Sequence, residues 1–412
     1  MRILTCDEVR QAEQEATARP KISTLVLMQR AGHAVAQFCM SRFKFKSVCV
    51  VCGRGNIGGD GLAAAASLRN FGVEVSVVIL AEGVGALSPD AGDLCSRLAL
   101  QPMWIANDAD FESEALREAL GADLIIDAIV GTGFKPPLEG LARKAVEAIN
   151  DAFGTIVSVD MPSGVDADSR VPAHESGDDA VFAHGIITFI APKPTHVFGE
   201  LTSGPIAVSE IGVQPALVPN TTGLGVITGQ EVGITFPPRL QDAHKGQFGH
   251  VLVIAGSWGK AGAAALAGMA ALRTGAGLVT IACPKSIQST VAGFAPELMT
   301  EGLKETREGT ISMEASDQLE SLLTGKDAIV LGPGLSRNPG TTKFVRRLVA
   351  RSPLPMVLDA DGLNAFDGHY ADLKARGDGA PFRVLTPHPG EAARLIGVST
   401  NDIQADRLEV AR

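Results

Sequence analysis

Short apolar runs alternate with helical segments along most of this chain, and no other feature constrains its fold as strongly. In the first half, strand-like runs lie at residues 48–52, 73–80, 124–126 and 156–159, and a segment of helical character separates each from the next. Strands that are joined through helices form right-handed β-α-β units and hence a parallel sheet. A second series of the same kind begins at residue 250. The alternation therefore predicts two α/β domains.

A change in composition marks the boundary between the two series. Residues 212–238 are rich in Gly, Pro and Thr, which is typical of a connector and of the entry into a new domain. A chain of 412 residues also exceeds one ordinary domain of about 150 residues. We predict a first domain over residues 1–215, a linker over 216–238 and a second domain over 239–412.

Charge and hydropathy argue against several classes of partner. The formal net charge is −10 and the densest basic run, residues 42–46, is short, whereas nucleic-acid binding draws on clustered Lys and Arg. The first residues carry no signal-peptide core, and no apolar run reaches the roughly 18 residues that a membrane span requires. We therefore expect a cytoplasmic protein with no nucleic-acid partner and no membrane partner.

Polar and glycine-rich segments follow three of the four strands of the first series. The first strand leads into the segment 53–61, the third ends at Asp127 ahead of 131–137, and the fourth leads into Asp160 and then Ser163. Ligands of open parallel sheets bind beyond the carboxyl ends of the strands. The three segments therefore predict one pocket at a single edge of the sheet.

The first of these segments contains the pattern G-x-G-x-x-G as Gly53, Gly55 and Gly58, which is typical of a dinucleotide-binding loop. Asn56 and Asp60 lie within the same segment, however, and a carboxylate there would repel a phosphate. The loop is thus predicted to contact a hydroxyl group, a ring or a cation. Asp60 has a second interpretation as the N-cap of the following helix.

Asp127 and Asp160 lie at adjacent strand ends and have several interpretations. Each is either a turn-forming Asp that accepts hydrogen bonds from nearby amides, or a pocket carboxylate. Carboxylates that face one pocket raise each other's pKa, which suits proton transfer, and a cation would neutralise one of them. In the second half, His388 lies between two prolines at a strand end, and we interpret it as a ligand contact rather than a core residue.

The first-half segments resemble those of the NAD(P)H-hydrate epimerase family, at residues 27–32, 52–61, 127–133 and 159–164. The second half resembles the ADP/ATP-dependent NAD(P)H-hydrate dehydratase family. Its matching segments are 244–246, 256–264, 274–277, 332–335 and 386–391. The order of the two halves is similar to that of bifunctional NAD(P)H-hydrate repair enzymes.

The resemblance implies a fold and an activity for each half. The fold would be an N-terminal Rossmann-like, three-layer α/β domain with a parallel sheet, followed by a ribokinase-like α/β domain. The activity would be nicotinamide nucleotide repair, in which the first domain interconverts the R and S hydrates of NADH and NADPH (NADHX and NADPHX) at C6. The second domain would remove the added water with ADP or ATP and Mg²⁺.

The resemblance also implies roles for particular residues, with Asp160 as the catalytic residue. The substrate-binding residues implied in the first domain are Asn56, Ile57, Gly58, Gly59, Asp60, Gly131, Thr132, Gly133, Phe134, Lys135, Pro136, Pro137 and Asp160. Those implied in the second domain are Ala263, Gly334 and His388. A potassium ion would be held by Asp127 and Ser163, together with the backbone carbonyl of Ile57, which replaces an Asn common in the family.

Two dehydratase motifs, Lys-Gly-x-x-Thr and Gly-Thr-Gly-Asp, do not occur between residues 391 and 412. We therefore expect an incomplete, C-terminally truncated second domain that cannot dehydrate the hydrate by itself. We also expect a homo-oligomer. Two alternatives stay open, a non-catalytic nucleotide-binding module and an NAD-dependent oxidoreductase that uses the Gly53 to Gly58 loop. The chain has a single Tyr, Tyr370.

Overall fold

The chain forms two compact units, Met1–Phe236 and Pro237–Arg412. A computed structural model describes residues 1–18, 22–172, 179–214, 216, 221–236, 238–374 and 380–412. Each unit contains one parallel sheet with helices packed against it, of seven strands in the first unit and six in the second. The predicted pair of α/β domains is confirmed.

The first unit alternates strands and helices after an opening helical pair. Its helices are α1 (Cys6–Ala18), α2 (Thr24–Arg42), α3 (Asn56–Asn70), α4 (Pro89–Arg97), α5 (Glu114–Leu120), α6 (Gly140–Asn150), α7 (Pro194–Phe198) and α8 (Gly229–Thr235). Its strands are β1 (Ser47–Cys52), β2 (Glu74–Ile79), β3 (Met103–Trp104), β4 (Leu124–Ala128), β5 (Thr155–Val159), β6 (Gly185–Phe189) and β7 (Ile206–Ser209). Of these strands, β3, β6 and β7 were not predicted.

The first sheet is covered on both faces, which explains its continuous apolar strands. Successive side chains of a strand point to opposite faces. Along β1, Val48, Val50 and Cys52 accordingly join one apolar core, whereas Cys49 and Val51 join the other. The predicted three-layer arrangement is confirmed.

The strand order β3-β2-β1-β4-β5-β6-β7 reverses direction between β1 and β4. A crevice opens at such a point, because the connections on its two sides cross to opposite faces of the sheet. The close packing of α3 beside this crevice requires a glycine. A Cβ on Gly61 would lie 2.6 Å from the Cβ of Ala128 and 2.9 Å from the Sγ of Cys52. The fold thus brings the start of α3 against the ends of β1 and β4.

The described residues between 221 and 236 belong to the first unit. The backbone N–H of Ile3 donates to the carbonyl of Leu224 at 3.2 Å, and that of Val226 donates to the carbonyl of Met1 at 2.8 Å. The predicted linker spans 216–238, of which residues 217–220 and 237 lie outside the described part of the chain. The predicted domain boundaries themselves stay a prediction.

The second unit has the strand order β10-β9-β8-β11-β12-β13. Its strands are β8 (His250–Ile254), β9 (Leu278–Pro284), β10 (Met299–Leu303), β11 (Ala328–Leu331), β12 (Met356–Leu358) and β13 (Arg383–Leu385). Its helices are α9 (Ala261–Arg273), α10 (Gln288–Ala292), α11 (Leu319–Leu323), α12 (Pro339–Arg351), α13 (Asp361–Asn364), α14 (Pro389–Ile396), α15 (Thr400–Ala405) and α16 (Arg407–Ala411). Within the described residues β13 is an outer strand, and Val384 and Leu385 are each 37% exposed.

Among the described residues, no helix combines the length and the apolar character that crossing a membrane would need.

Candidate active sites

A cavity of about 650 Å³ opens at the carboxyl ends of β1, β4 and β5 in the first unit. It lies at the crevice that the strand order creates, as predicted. Eight of the residues expected to contact substrate line it, namely Asn56, Ile57, Asp60, Gly131, Thr132, Gly133, Phe134 and Asp160. The three predicted segments therefore do meet at one edge of the sheet.

The other five expected contacts in this unit are Gly58, Gly59, Lys135, Pro136 and Pro137, and none of them lines the cavity wall. The two glycines serve close packing instead. A Cβ on Gly58 would collide with the backbone carbonyl of Gly53, and one on Gly59 would collide with the thioether of Met28. The ammonium of Lys135 turns toward a neighbouring loop, 2.7 Å from the carboxylate of Asp166.

The segment at residues 56–60 is helical rather than a loop, which corrects the sequence-based expectation. Helix α3 begins at Asn56 with Gly55 as its N-cap, and no side chain accepts the first amides. Asp60 is therefore not the N-cap. Asn56 and Asp60 are four residues apart, so they stand on the same face of the helix, and that face lines the cavity.

Asp160 directly follows β5 and is the most constrained carboxylate in the cavity wall. Its backbone has a φ of 65°, in the left-handed region that a non-glycine residue rarely adopts. Its side chain is buried, and Oδ1 accepts hydrogen bonds from Lys193 Nζ at 2.6 Å and from Thr188 Oγ1 at 2.8 Å. The other oxygen, Oδ2, accepts from the backbone N–H of Thr132 at 3.3 Å.

Lys193 anchors Asp160 from behind, and the sequence analysis did not predict it. Its side chain is 1% exposed. All three of its N–H donors have partners, Asp160 Oδ1, Thr188 Oγ1 at 2.7 Å and the carbonyl of Phe189 at 3.2 Å. Lys193 lies just beyond β6, a strand that was missed. A lysine held between two prolines after an apolar run was the available signal.

His196 fixes the backbone of the same turn. Its Nδ1 accepts from the backbone N–H of Lys193 at 3.0 Å, so its Nε2 carries the proton and donates to the carbonyl of Asp160 at 2.7 Å. Burial lowers the pKa of His196 to about 4, and the positive charge of Lys193 adds to that effect. The ring is therefore neutral at neutral pH.

Two carboxyl groups of the cavity have pKa values shifted in opposite directions. Burial raises the pKa of Asp160, but the charge and hydrogen bond of Lys193 outweigh it and hold that pKa below its ordinary value. Burial raises the pKa of Asp60 well above its ordinary value, and the charges of Asp160 and Glu13 add to the shift. The pKa values of these two carboxyl groups are thus shifted apart.

Helix α1 supplies four cavity residues that the sequence analysis missed, Cys6, Val9, Arg10 and Glu13. This helix was not predicted. Its buried residues Val9 and Ala12 are three positions apart, which is a helical spacing, and this was the available signal. Partial burial against the wall and the charge of Asp160 raise the pKa of Glu13.

Asp127 is fully buried behind the cavity and does not line it. Its Oδ1 accepts from Ser163 Oγ at 2.5 Å, and its Oδ2 accepts from the N–H of Ser163 and from Ser158 Oγ, each at 2.8 Å. Burial raises the pKa of Asp127, against these hydrogen bonds. Asp127 and Ser163, both predicted to hold a cation, are thus in direct contact, and Ser158 was not predicted.

In the second unit, two of the three predicted residues meet at the carboxyl edge of the sheet. Gly334 follows β11 with a φ of 71°, and a Cβ there would lie 3.0 Å from the Cβ of Ala263, at the start of α9. The carbonyl of Gly334 also accepts a hydrogen bond from Ser257 Oγ at 2.7 Å. The residues predicted from the loops after β8 and β11 are therefore neighbours.

His388 lies after β13 on the same edge and acts as the N-cap of α14. Its Nδ1 accepts from the backbone N–H of Gly390 at 3.1 Å, and its Nε2 lies 3.2 Å from the carboxylate of Glu391. The imidazole is 63% exposed, so it is fixed by local contacts yet open to a ligand. Asp361, the first residue of α13, was not predicted to be a site residue, and it lies 3.9 Å from Lys260 Nζ.

Comparison with known proteins agrees with the division into two units. Residues 24–195 match the sequence model of the family described as YjeF-related protein N-terminus. Residues 251–412 match the family described as NAD(P)H-hydrate dehydratase. The bifunctional NAD(P)H-hydrate repair enzyme Nnr of Moorella thermoacetica is 37% identical over 420 aligned positions, which cover 100% of this chain and 78% of that protein.

The chain belongs to the bifunctional NAD(P)H-hydrate repair enzyme family. The Nnr enzyme of Escherichia coli, 31% identical, covers 98% of the chain and is itself covered to 74%. The chain therefore combines the epimerase and dehydratase domains of this family, in the predicted order. Neither the oxidoreductase nor the non-catalytic module is supported. The expected truncation of the second domain has no support in these comparisons.

Solved structures of repair-family proteins are also similar to parts of the chain. The yeast protein ynu0 is 25% identical and matches 48% of this chain and 83% of its own, with a TM-score of 0.40. The ADP/ATP-dependent NAD(P)H-hydrate dehydratase of Bacillus subtilis, crystallised with ATP/Mg²⁺, is 29% identical and matches 45% and 60%, with a TM-score of 0.36. Because both TM-scores are low, the two domains are assigned from the family matches alone.

Proposed function

We propose that Asp160 is the acid–base residue with which the epimerase domain interconverts R and S hydrates of NADH and NADPH at C6. This proposal rests on the different contacts that the two carboxylate oxygens of Asp160 make. Oδ1 is engaged by Lys193 and Thr188, whereas Oδ2 lies on the side of Gly131 and Thr132, which line the cavity. An ionised carboxylate with one oxygen available can accept a proton from a water or hydroxyl group at the ring.

The walls of the cavity would hold the hydrated nicotinamide ring. Asn56, Asp60 and Thr132 offer polar groups for the ring substituents, and Ile57 and Phe134 offer apolar surface. Gly58 and Gly59 would act indirectly, because their lack of a side chain lets α3 approach its neighbours. Lys135, Pro136 and Pro137 would shape the loop that carries Gly131 and Gly133.

A potassium ion fits the oxygen atoms around Asp127. Ser163 Oγ lies 2.5 Å from Asp127 Oδ1 and 3.2 Å from the carbonyl oxygen of Val130, so three hard donors converge. Burial of a carboxylate without a full charge partner favours a neutralising cation. When bound, the ion would neutralise Asp127 and tie the loop at residue 130 to the strand ends. Ile57 would offer only its backbone carbonyl.

For the second domain we propose removal of the added water with ADP or ATP and Mg²⁺, and with Ala263, Gly334 and His388 at the substrate. Lys260 and Asp361 support this, since an ammonium suits phosphate and a carboxylate suits Mg²⁺. We further propose that the protein is a cytoplasmic homo-oligomer with no nucleic-acid or membrane partner. The acidic net charge and the exposed Phe153 and Phe182 support that part of the proposal.

The experiment that tests the role of Asp160 separates binding from turnover. Asp160→Asn keeps the size of the side chain and should bind hydrated NADH, while epimer exchange falls by about 10²- to 10⁴-fold. Asp93→Asn, the same change at a half-exposed position on α4, is the matched control and should keep the parental rate. Exchange at the parental rate in Asp160→Asn would refute the assignment.

A further inference from the structure

We propose that Asp60 is the general acid of the epimerase site and works opposite Asp160, an inference that rests on the proposed epimerase function. The carboxyl group of Asp60 is 8% exposed. It borders the 650 Å³ cavity and also an adjoining cavity of about 180 Å³. Across the described part of the chain, no side-chain hydrogen bond to this carboxyl group is formed, so its polar atoms are left for a ligand.

The position and surroundings of Asp60 give it a different protonation state from that of Asp160. Asp60 lies on the helix face that lines both cavities, and no cationic side chain of the described residues bonds to it. The charged and titratable groups that line the two cavities with it are Cys6, Arg10, Glu13, Arg54, Asp160 and Lys193. The single buried cation among them, Lys193, is already bonded to Asp160. A buried carboxyl group that lacks a charge partner stays protonated, whereas one paired with an ammonium stays ionised.

Two carboxyl groups of opposite state in one cavity are an acid–base pair. Asp60 donates its proton to the C6 hydroxyl oxygen, and the C6–O bond breaks with its electron pair going to that oxygen, so that water leaves. The lone pair of the ring nitrogen N1 forms the N1=C6 double bond. A water molecule then adds to C6 from the other face while its proton passes to Asp160, and the N1=C6 π electrons return to N1. The product is the opposite epimer.

Protons are conserved over one turnover in each direction. One turn leaves Asp60 ionised and Asp160 protonated, and conversion of the opposite epimer restores both. Repeated turnover in one direction requires proton exchange with solvent. Glu13 lines both cavities together with Asp60 and is exposed, so it marks the side from which solvent reaches the pair.

The test is the pH profile of epimer exchange in the full chain, in Asp60→Asn and in Asp60→Ser. Asparagine matches the neutral carboxyl group in size and charge, so the fold should persist, and thermal unfolding checks this. We expect exchange to fall at least about 10²-fold in both variants. The parental rate should decline at alkaline pH as Asp60 loses its proton, and the residual rate of Asp60→Asn should show no such decline.

The parental profile decides the matter even if neither variant folds, because a parental rate without an alkaline decline would overturn the proposal. Parental exchange in Asp60→Asn would overturn it too, as would a slow variant that keeps the alkaline decline. The variant Asp160→Asn distinguishes a failure of this inference from a failure of the proposed role of Asp160. If Asp160→Asn is slow and Asp60→Asn is not, only this inference fails. If Asp160→Asn exchanges epimers at the parental rate, the proposed role of Asp160 fails.

Discussion

The Nζ of Lys193 lies 2.6 Å from Oδ1 of Asp160, and both side chains are almost completely buried. A buried ion pair stabilises a fold only where further hydrogen bonds satisfy both partners. Thr188, Phe189 and Thr132 supply those bonds here. The pair therefore keeps a charged carboxylate at the wall of the cavity, at a backbone conformation with positive φ.

Lys193→Met should destabilise the first domain. It leaves Asp160 buried without its cation, and such a loss costs about 3–5 kcal/mol. The comparison is Lys135→Met, which breaks the exposed ion pair with Asp166 and should cost no more than about 1 kcal/mol. Urea unfolding measures both. Adding Asp160→Asn to Lys193→Met should recover part of the loss, and equal losses in the two lysine variants would refute the buried-pair account.

His196 should weaken the fold at acid pH. Its folded pKa is about 4, below the ordinary 6.5, so the unfolded chain takes up a proton first as the pH falls. The free energy of unfolding should therefore decrease between about pH 6.5 and pH 4, by about 3 kcal/mol for this group. His196→Gln should lose that dependence, whereas His33→Gln, at an exposed histidine, should keep it. Identical pH profiles of stability in the two variants would count against the argument.

Gly55 and Gly58, at the start of α3, should differ in how well they tolerate substitution by alanine. A Cβ on Gly58 would collide with the backbone carbonyl of Gly53, whereas nothing lies within 4 Å of a Cβ on Gly55. Gly58→Ala should therefore lower the melting temperature of the first domain, by about 2–4 °C for each 1 kcal/mol in a domain of this size. Gly55→Ala should change it little. Equal melting temperatures for the two variants would contradict this prediction, because they would mean that the backbone at the start of α3 shifts to accept the Cβ without a loss of stability.

The carboxylates of the site were predictable, and their partners were not. Asp127 and Asp160 directly end apolar runs and stand beside glycines, so a sequence pattern places them at the sheet edge. Thr188 belongs to β6 and Lys193 lies just beyond it. The apolar run of this strand is interrupted by Thr188 and was not recognised as a strand. The opposite states of Asp60 and Asp160 depend on which carboxylate the lysine reaches, and only the packed structure determines that.

The start of α3 shows a second limit of structure prediction from the sequence. The glycines at 53–61 were interpreted as an extended loop, because glycine is a poor helix former. In the structure the helix already begins at Asn56, since several of these glycines let it pack against the sheet and its neighbours. Tertiary packing thus outweighed local preference. In the second unit, Gly334 and Ala263 were both predicted to contact substrate and they are neighbours, whereas the Lys260–Asp361 pair was not predicted.

Potassium should support epimer exchange better than a large organic cation. Three oxygens lie close together at the proposed cation site, namely Ser163 Oγ, Asp127 Oδ1 and the carbonyl oxygen of Val130. A large organic cation cannot coordinate them as a small ion does, so exchange in tetramethylammonium at equal ionic strength should be slower than in potassium. Ser163→Ala should remove much of this difference. Equal rates in both salts for the parental chain would remove the cation from the account without affecting Asp160.

The central claim is that the cavity at the ends of β1, β4 and β5 interconverts the hydrates of reduced nicotinamide nucleotides. The most direct measurement starts from one purified epimer of hydrated NADH and follows the appearance of the other by chromatography, with and without the chain. We predict that the chain brings the epimers to equilibrium far faster than buffer, and that Asp160→Asn slows this by about 10²- to 10⁴-fold. A rate with the chain equal to that in buffer would contradict the claim.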